Sequence, residues 1–271
     1  MDAMLLEDRL AVISEPVGVP AYDFDFGLYF RCGHPYAFAP GTPAVLRVGG
    51  VTDYAQAYHE HAQWNLQLVN TPEEHRRASE LEAWYPLIET DTPRTRVFDA
   101  LPAAEVIEAE FRWPIFLKGS RQTNRHNPDL AVVRSREHYA EVCARYAADP
   151  ILSWQKPAVR EFVPLQPVGG SVPGKVRPSL EFRTFWWRGH CVGAGRYWYQ
   201  LARYTAADLD DGLALAASAA QRVDVPFLVV DIARTADGRW IVIECNDAQE
   251  SGHAAIPPQV LWRAVLDRLA P

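Results

Sequence analysis

Residues 227–253 read FLVVDIARTADGRWIVIECNDAQESGH, a stretch predicted to fold as a β-hairpin. Two apolar, β-branched runs, Phe227–Ile232 and Trp240–Cys245, flank Thr235-Ala236-Asp237-Gly238. Asp-Gly is the favoured pair for a two-residue type I′ turn, because both of its positions need positive φ. With Asp237 and Gly238 in that turn, Ala236 faces Arg239, and counting back along both strands sets Asp231 opposite Glu244. Side chains alternate along a strand, so Asn246 shares the face of Glu244. A longer turn of the same parity shifts the pair diagonally but keeps the face. A three-residue loop without a bulge puts Asp231 on the wrong side.

Two carboxylates in so apolar a hairpin repel each other, and burying them is costly unless something neutralises them. A divalent cation does so, and two carboxylates with an amide oxygen are the hard donors that suit Mg²⁺ on the phosphates of a nucleotide. The other reading is that Asp231 and Glu244 lie at strand ends in solvent or pair with arginines. The hairpin alone leaves both open.

The chain has 271 residues, 48% hydrophobic and 23% charged, enough for a large core in one large or two ordinary domains. Its net charge of -7 argues against general affinity for nucleic acid or anionic membrane. No apolar run approaches the roughly 18 residues of a spanning helix. The start, MDAMLLEDRL, carries acids and lacks the basic opening of a signal peptide. Cys32, Cys143, Cys191 and Cys245 are far apart, without metal-ligand spacing, and read as reduced, mostly buried thiols of a cytoplasmic protein.

Residues 1–95 read as a small α/β unit with strands near Leu10–Ile13, Ala44–Val48 and Trp64–Val69. Tyr22-Asp23-Phe24-Asp25-Phe26 alternates aromatic and acid, as a half-exposed strand does. His59 and His61, two apart, share no helix face and make a weak metal candidate. In NTPEEHRR (70–77), Thr71 caps a helix, Pro72 takes its first position, and Glu73 and Glu74 favour its N-terminus. That helix is expected to run to about Trp84. The breaker TDTPR (90–94) then leads to a strand at Arg96–Phe98 and a second domain, 96–271.

In the middle, Ala103–Glu110 reads as a helix and Trp113–Lys118 as a strand ending in a lysine. The polar, basic loop that follows, Gly119–Asn127, reads either as a phosphate cradle with Lys118 as its point charge or as an ordinary surface loop. Ala131–Val133 is a short strand, Arg136–Ala148 a helix, and Ala158–Leu165 another strand. Gln166–Ser179, rich in Gly and Pro, reads as a long flexible connection. Leu180–Trp187 and Cys191–Tyr199 form a second strand pair turning at Arg188-Gly189-His190. Trp186, Trp187, Tyr197, Trp198 and Tyr199 are expected in the core and on the sheet faces. Asp208–Val223 and Pro257–Leu269 are helices, the first an outer helix against the hairpin.

Taken in order, NTPEEHRR with TPRT, WPIFLK, REFVPL, LEFRTFWWRGHCVGAGRYW and VVDIARTADGRWIVIECND resemble the ATP-grasp superfamily, within it the small, divergent members with an arginine-rich nucleotide site. The resemblance covers roughly Leu68 to His253. It implies an α/β (α+β) ATP-grasp fold, with halves 96–160 and 161–271 clasping ATP behind a small N-terminal domain, 1–95. It implies that Lys118 and Arg77 contact the phosphates of ATP, and that Glu161, Phe162, Val163 and Pro164 are the hinge at the adenine edge. Glu181 would lie near the ribose or the adenine amine. Arg183 and Arg196, with Lys118, would stabilise the phosphoryl group in flight, and Asp231, Glu244 and Asn246 would hold Mg²⁺. The loop after Lys118 departs from the family in having one glycine, Gly119, and residues 1–60 carry no part of the resemblance.

The activity implied is an ATP- and Mg²⁺-dependent carboxylate–amine (or carboxylate–thiol) ligase working through an acyl-phosphate, on small-molecule or peptide substrates. The basic tract Arg121–Arg125 would take an anionic carboxylate or is simply a solvated loop. The alternatives are a non-catalytic nucleotide-binding module and a phosphotransferase on the same scaffold.

Overall fold

The computed structural model describes residues 2–14, 24–121 and 128–269. Tyr22 and Asp23 of the aromatic–acid stretch, and Gln122–Asn127 of the basic loop, lie outside the described residues.

Strands β1 (Asp2–Leu6), β2 (Leu10–Ser14), β3 (Cys32–Gly33), β4 (Thr42–Leu46) and, after helix α1 (Tyr54–Ala62), β5 (Leu66–Leu68) form an N-terminal sheet in the order β3-β1-β2-β4-β5. Phe24 and Asp25 are not strand. Phe26–Leu28 is a 3₁₀ turn capped by Asp25, whose carboxylate accepts from Gly27 N–H; the capping acid overrides the alternating pattern.

Helix α2 (Pro72–Ser79) starts as expected, with Thr71 and Glu74 closing a reciprocal capping box. It does not continue to Trp84. Glu80 turns extended, its ψ 123°, so that Leu81 N–H can donate to Ser120 O, and a second helix, α3 (Leu81–Ile88), begins there.

A second sheet follows. Strands β6 (Thr95–Val97), β7 (Ile115–Gly119), β8 (Val132–Val133) and β9 (Pro157–Glu161) pair antiparallel in the order β6-β9-β7-β8, with helices α4 (Ala104–Glu108), α5 (Pro128–Ala131) and α6 (Arg136–Ala148) between them. Ile107, Phe111, Tyr139, Val142 and Tyr146 pack on Ile115, Leu117 and Val159.

The third sheet holds the hairpin. Strands β10 (Glu181–Trp187) and β11 (His190–Arg196) come first, then helix α7 (Leu209–Val223), strands β12 (Phe227–Arg234) and β13 (Trp240–Asp247), and helix α8 (Pro258–Leu266); the strand order is β11-β10-β12-β13. Both faces are covered. Phe185, Trp187, Phe227 and Val229 pack against α8 and the N-terminal sheet, while Phe182, Trp186, Leu228, Val230 and Ile232 pack against α7 and α3. Gly212 lets α7 come close, since a Cβ there would lie 2.8 Å from the ring of Trp240. Trp186, Trp187 and Trp198 are buried as expected, but Tyr199 is exposed.

The turn chemistry is distributed differently from the expectation. The two-residue turn with positive φ at both positions is Arg188-Gly189 (φ 47° and 78°), between β10 and β11. In the 227–253 hairpin only Gly238 has positive φ, 91°. Thr235 N–H donates to Arg239 O and Gly238 N–H to Thr235 O, enclosing a three-residue loop, Ala236–Gly238. A bulge then inserts Ile243, because Ile232 pairs Val242 while Asp231 pairs Glu244. The bulge restores the parity that the loop would have lost.

Gln166–Ser179 is tied to the rest of the chain at several points. Gln166 N–H donates to Arg234 O, Arg234 Nη1 donates to Gln166 Oε1, and Ser179 Oγ donates to Glu181, while Pro167 bridges Ser179 within the segment. All four cysteines are free, and only Cys245 is fully buried; Cys32 and Cys143 are half-buried and Cys191 is exposed. No described helix is long and apolar enough to cross a membrane.

Candidate active site

Two cavities are lined by residues of the second and third sheets and their connections. The first, about 310 Å³, is walled by Phe116, Lys118 and Val132 on one side and by Glu181, Ile241 and Ile243 on the other. Glu161, Phe162, Val163, Pro164 and Leu165 run along it as the connection between the two sheets, and Pro167 with Val176–Ser179 covers it. A mostly apolar slot crossed by a run of backbone amides suits a flat heteroaromatic ring. Glu181 is buried and accepts from Ser179 Oγ at 2.7 Å.

The second cavity, about 260 Å³, is polar. Glu244 and Asn246 come to it from β13, Arg183 from β10, and Glu250, Ser251 and Gly252 from the segment after β13. Gly50, Ser79, Arg121 and Ile151 close it. Lys118 joins the two spaces: it lines the first cavity, and its Nζ donates to Glu244 Oε1, in the second.

The register explains what the two acids do. Asp231 stands opposite Glu244 on β13 and opposite Arg183 on β10. Arg183 grips it bidentately, Nε to Oδ1 at 2.8 Å and Nη2 to Oδ2 at 2.7 Å, and Asp231 is fully buried. Arg183 Nη1 also donates to Gly252 O, and Tyr197 lies over its guanidinium at 5.1 Å. Asp231 is thus balanced by Arg183 and Glu244 by Lys118. The charge argument alone therefore does not demand a divalent cation. The donor chemistry still fits one: Glu244 and Asn246 present oxygen atoms from one strand face to a polar cavity, with Asp231 behind them. Among the described residues no group of three or more His, Cys, Asp or Glu could hold a metal, so the Asn246 amide, waters or phosphate oxygens would complete any such set.

The structure separates two residues from the others. Arg77 donates to Asp224 O at the C-terminal end of α7 and lines neither cavity; a cation there caps free carbonyls. Arg196 pairs Phe182 across β10/β11, so it shares the α7 face, lies 5.5 Å from the ring of Tyr204, and donates to Leu201 O and Ala202 O. A bulge at Val192 causes this, because Phe185 pairs Gly193 while Trp186 pairs Cys191. Without that extra residue Arg196 would face Glu181 on the cleft side. His59 and His61 make no metal site; His61 Nδ1 lies 2.7 Å from Ala57 O within α1.

Three residues that sequence reasoning passed over matter here. Arg160 donates through Nη1 to Ile243 O at 2.6 Å, holding the bulged residue, and through Nε to Thr95 Oγ1. Asn70, fully buried, brackets Phe227 with both ends of its amide and donates to Asp247 Oδ2. Asp247 is buried with it, and desolvation lifts its pKa to about 6 despite the nearby His75. Arg47 donates to the carbonyls of Ala248, Gln249 and Ser251, fastening the N-terminal sheet to the segment after β13. Burial, with Arg47 and Arg183 near, lowers the pKa of His253 to about 3 and keeps it neutral.

Two α+β halves closing on a cleft, behind an N-terminal α/β unit, define the ATP-grasp class. The sequence matches the family described as ATP-grasp domain, R-2-K clade family 3, over residues 84–265, more than half of the chain, and the protein belongs to that family. Solved structures carry the same fold. A RimK domain ATP-grasp protein from Sphaerobacter thermophilus DSM 20745 is 17% identical, covering 84% of this chain and 80% of its own, with a TM-score of 0.59. The VanG D-Ala:D-Ser ligase from Enterococcus faecalis is 12% identical over 84% and 73%, TM-score 0.59. The D-alanine–D-alanine ligase from Bacillus anthracis, complexed with ATP, is 12% identical over 83% and 77%, TM-score 0.55. No curated protein sequence is significantly similar to the chain.

Proposed function

We propose that the protein is an ATP- and Mg²⁺-dependent ligase joining a carboxylate to an amine through an acyl-phosphate. The observation that carries this is the contact between the walls of the two cavities: Lys118, lining the apolar slot, donates to Glu244, lining the polar chamber, one residue from each half. In this reading residues 1–95 and 96–271 are the two domains, and Phe162, Val163 and Pro164, with Glu161, offer backbone groups to an adenine edge. Glu181 reaches the base or ribose. Glu244 and Asn246, with Asp231 behind them, hold Mg²⁺. When bound, ATP supplies the phosphoryl group that activates the carboxylate, and Mg²⁺ offsets its charge.

The chain's own groups do the rest. Lys118 turns from Glu244 to a phosphate oxygen, and Arg183, fixed by Asp231, holds a cation still beside the transferring group. A preorganised cation stabilises charge that develops in the transition state without reorganising, which is why the buried Asp231 matters. Arg77 and Arg196 have no place in this scheme. The cytoplasm, which supplies ATP, is the compartment the reading requires.

Calorimetric titration with Mg-ATP tests it. Magnesium-dependent binding that weakens in Glu244→Ala is expected. A folded wild type that binds no nucleotide would remove the proposal.

A further inference from the structure

We propose that Arg160 is a positioning residue. Its hydrogen bond to the carbonyl of Ile243 holds the bulge that lets Glu244 and Asn246 face the polar cavity, and so sets the affinity for the nucleotide's metal ion. The effect on the metal rests on the ligase reading above; the effect on the strand does not.

Strand β13 meets the two cavities in an irregular order. Ile241 and Ile243 line the apolar one, and Glu244 and Asn246 the polar one. Val242 and Cys245 are buried on the other face, in the core against α7. Two consecutive residues, Ile243 and Glu244, thus both face the cleft, which a regular strand with its period of two does not allow. The bulge makes it possible, since Ile243 is the extra residue between the pairs Ile232–Val242 and Asp231–Glu244. At this point one strand changes from supplying apolar wall to supplying oxygen donors. Its own sheet holds the point from one side, because β13 is the outermost strand and pairs with β12. A bulge disrupts the ladder locally, and a slip of one residue would send Glu244 and Asn246 to the α7 side.

The second sheet supplies a hold from the other side. Arg160, on β9, stands opposite Thr95 on β6 and Phe116 on β7 and is buried. Its Nη1 donates to Ile243 O at 2.6 Å and its Nε to Thr95 Oγ1 at 2.9 Å. Thr95 Oγ1 gives its own hydrogen to Pro93 O at 2.8 Å, which turns a lone pair towards Arg160. The guanidinium also lies 5.8 Å from the ring of Trp84. A planar fork fastened at two of its nitrogens has a fixed direction, which the swinging ammonium of a lysine lacks. Thr95 lines neither cavity, so its influence on Glu244 and Asn246 runs through Arg160.

The test uses the full chain. The Kd for ATP is measured calorimetrically in excess Mg²⁺ and again in EDTA, and the ratio of the two is the gain due to the metal. Arg160→Met should cut that gain about tenfold or more, as loss of a group behind a metal ligand does. The Kd in EDTA absorbs any part Arg160 plays as a wall of the apolar cavity. Charge alone predicts the opposite sign, because removing one cation strengthens the binding of another nearby. Thr95→Val should cut the gain by less, and should cut it no further in the Arg160→Met background. A gain in Arg160→Met equal to or above that of the wild type would overturn the inference and leave the ligase reading standing. The crystal structure of Arg160→Met needs no nucleotide. Glu244 and Asn246 are expected to leave their places beside the polar cavity; both unmoved, with Glu244 still on Lys118, would overturn the inference. A wild type that binds no ATP sinks the ligase reading, and the crystal structure then decides the inference alone. Should Arg160→Met fail to fold, Thr95→Val takes its place in both measurements, and wild-type behaviour there would overturn the inference.

Discussion

Asp231→Asn removes one negative charge and keeps the shape of the side chain. In the folded protein Asp231 is fully buried and Arg183 is 12% exposed, with paired atoms 2.7–2.8 Å apart. Solvent therefore screens the pair little, and the discount due to a surface ion pair does not apply. Removing one partner breaks a buried, bidentate ion pair, which costs about 3–5 kcal/mol. For a chain of this size that is a fall in Tm on the order of 10 °C. The assay is thermal unfolding in EDTA without nucleotide, so that any metal role of Asp231 stays out of the number. Arg183→Met and the double variant complete the cycle. The double variant removes both charges, and should be less destabilised than the sum of the singles by about 2–3 kcal/mol. A Tm within about 2 °C of wild type for Asp231→Asn, or strict additivity, would refute the argument that the two hold each other.

Glu244→Gln should abolish Mg²⁺-dependent ADP release while keeping the fold; an active, folded variant would count against Glu244 as a metal ligand. Asp247 keeps its proton in the folded chain up to about pH 6, whereas its ordinary pKa is 3.8. Its contribution to stability is then full below pH 3.8 and lost as pH rises through 6. Asp247→Asn should flatten the Tm profile between about pH 4 and 6.5, because an amide does not titrate, but it should not raise Tm, since its NH2 group would face N–H donors of Asn70 or Gln249; an unchanged profile would sink the assignment. Gly212→Ala gains about 1 kcal/mol of helix propensity. Its new methyl meets Trp240 at 2.8 Å and Ile232 at 3.0 Å, an overpacking that costs about 1–3 kcal/mol, so a Tm lower by a few degrees is expected and a higher one would show that Trp240 yields.

Much of the chain was legible because its signals are local. The capped start of α2, the full extent of α6, the hairpin runs and the order of motifs depend on neighbours a few residues apart. The pairing of Asp231 with Glu244 was read correctly from a turn that does not form: the loop has three residues, and the bulge at Ile243 repairs the count. Arg160, 83 residues earlier, holds that bulge, and nothing in residues 227–253 could announce it. A second bulge, at Val192, works the other way and turns Arg196 out of the cleft. A strand's period is two, so one inserted residue exchanges its faces, and whether one is inserted is settled by distant packing.

The sequence by itself determined the class: a strand-end lysine, the run REFVPL, paired acids and their order. Tertiary structure alone decided which cations balance those acids, Arg183 from 48 residues away and Lys118 from 126. Local patterns specify elements and their faces. Charge balance at a buried site depends on which elements the fold brings together there.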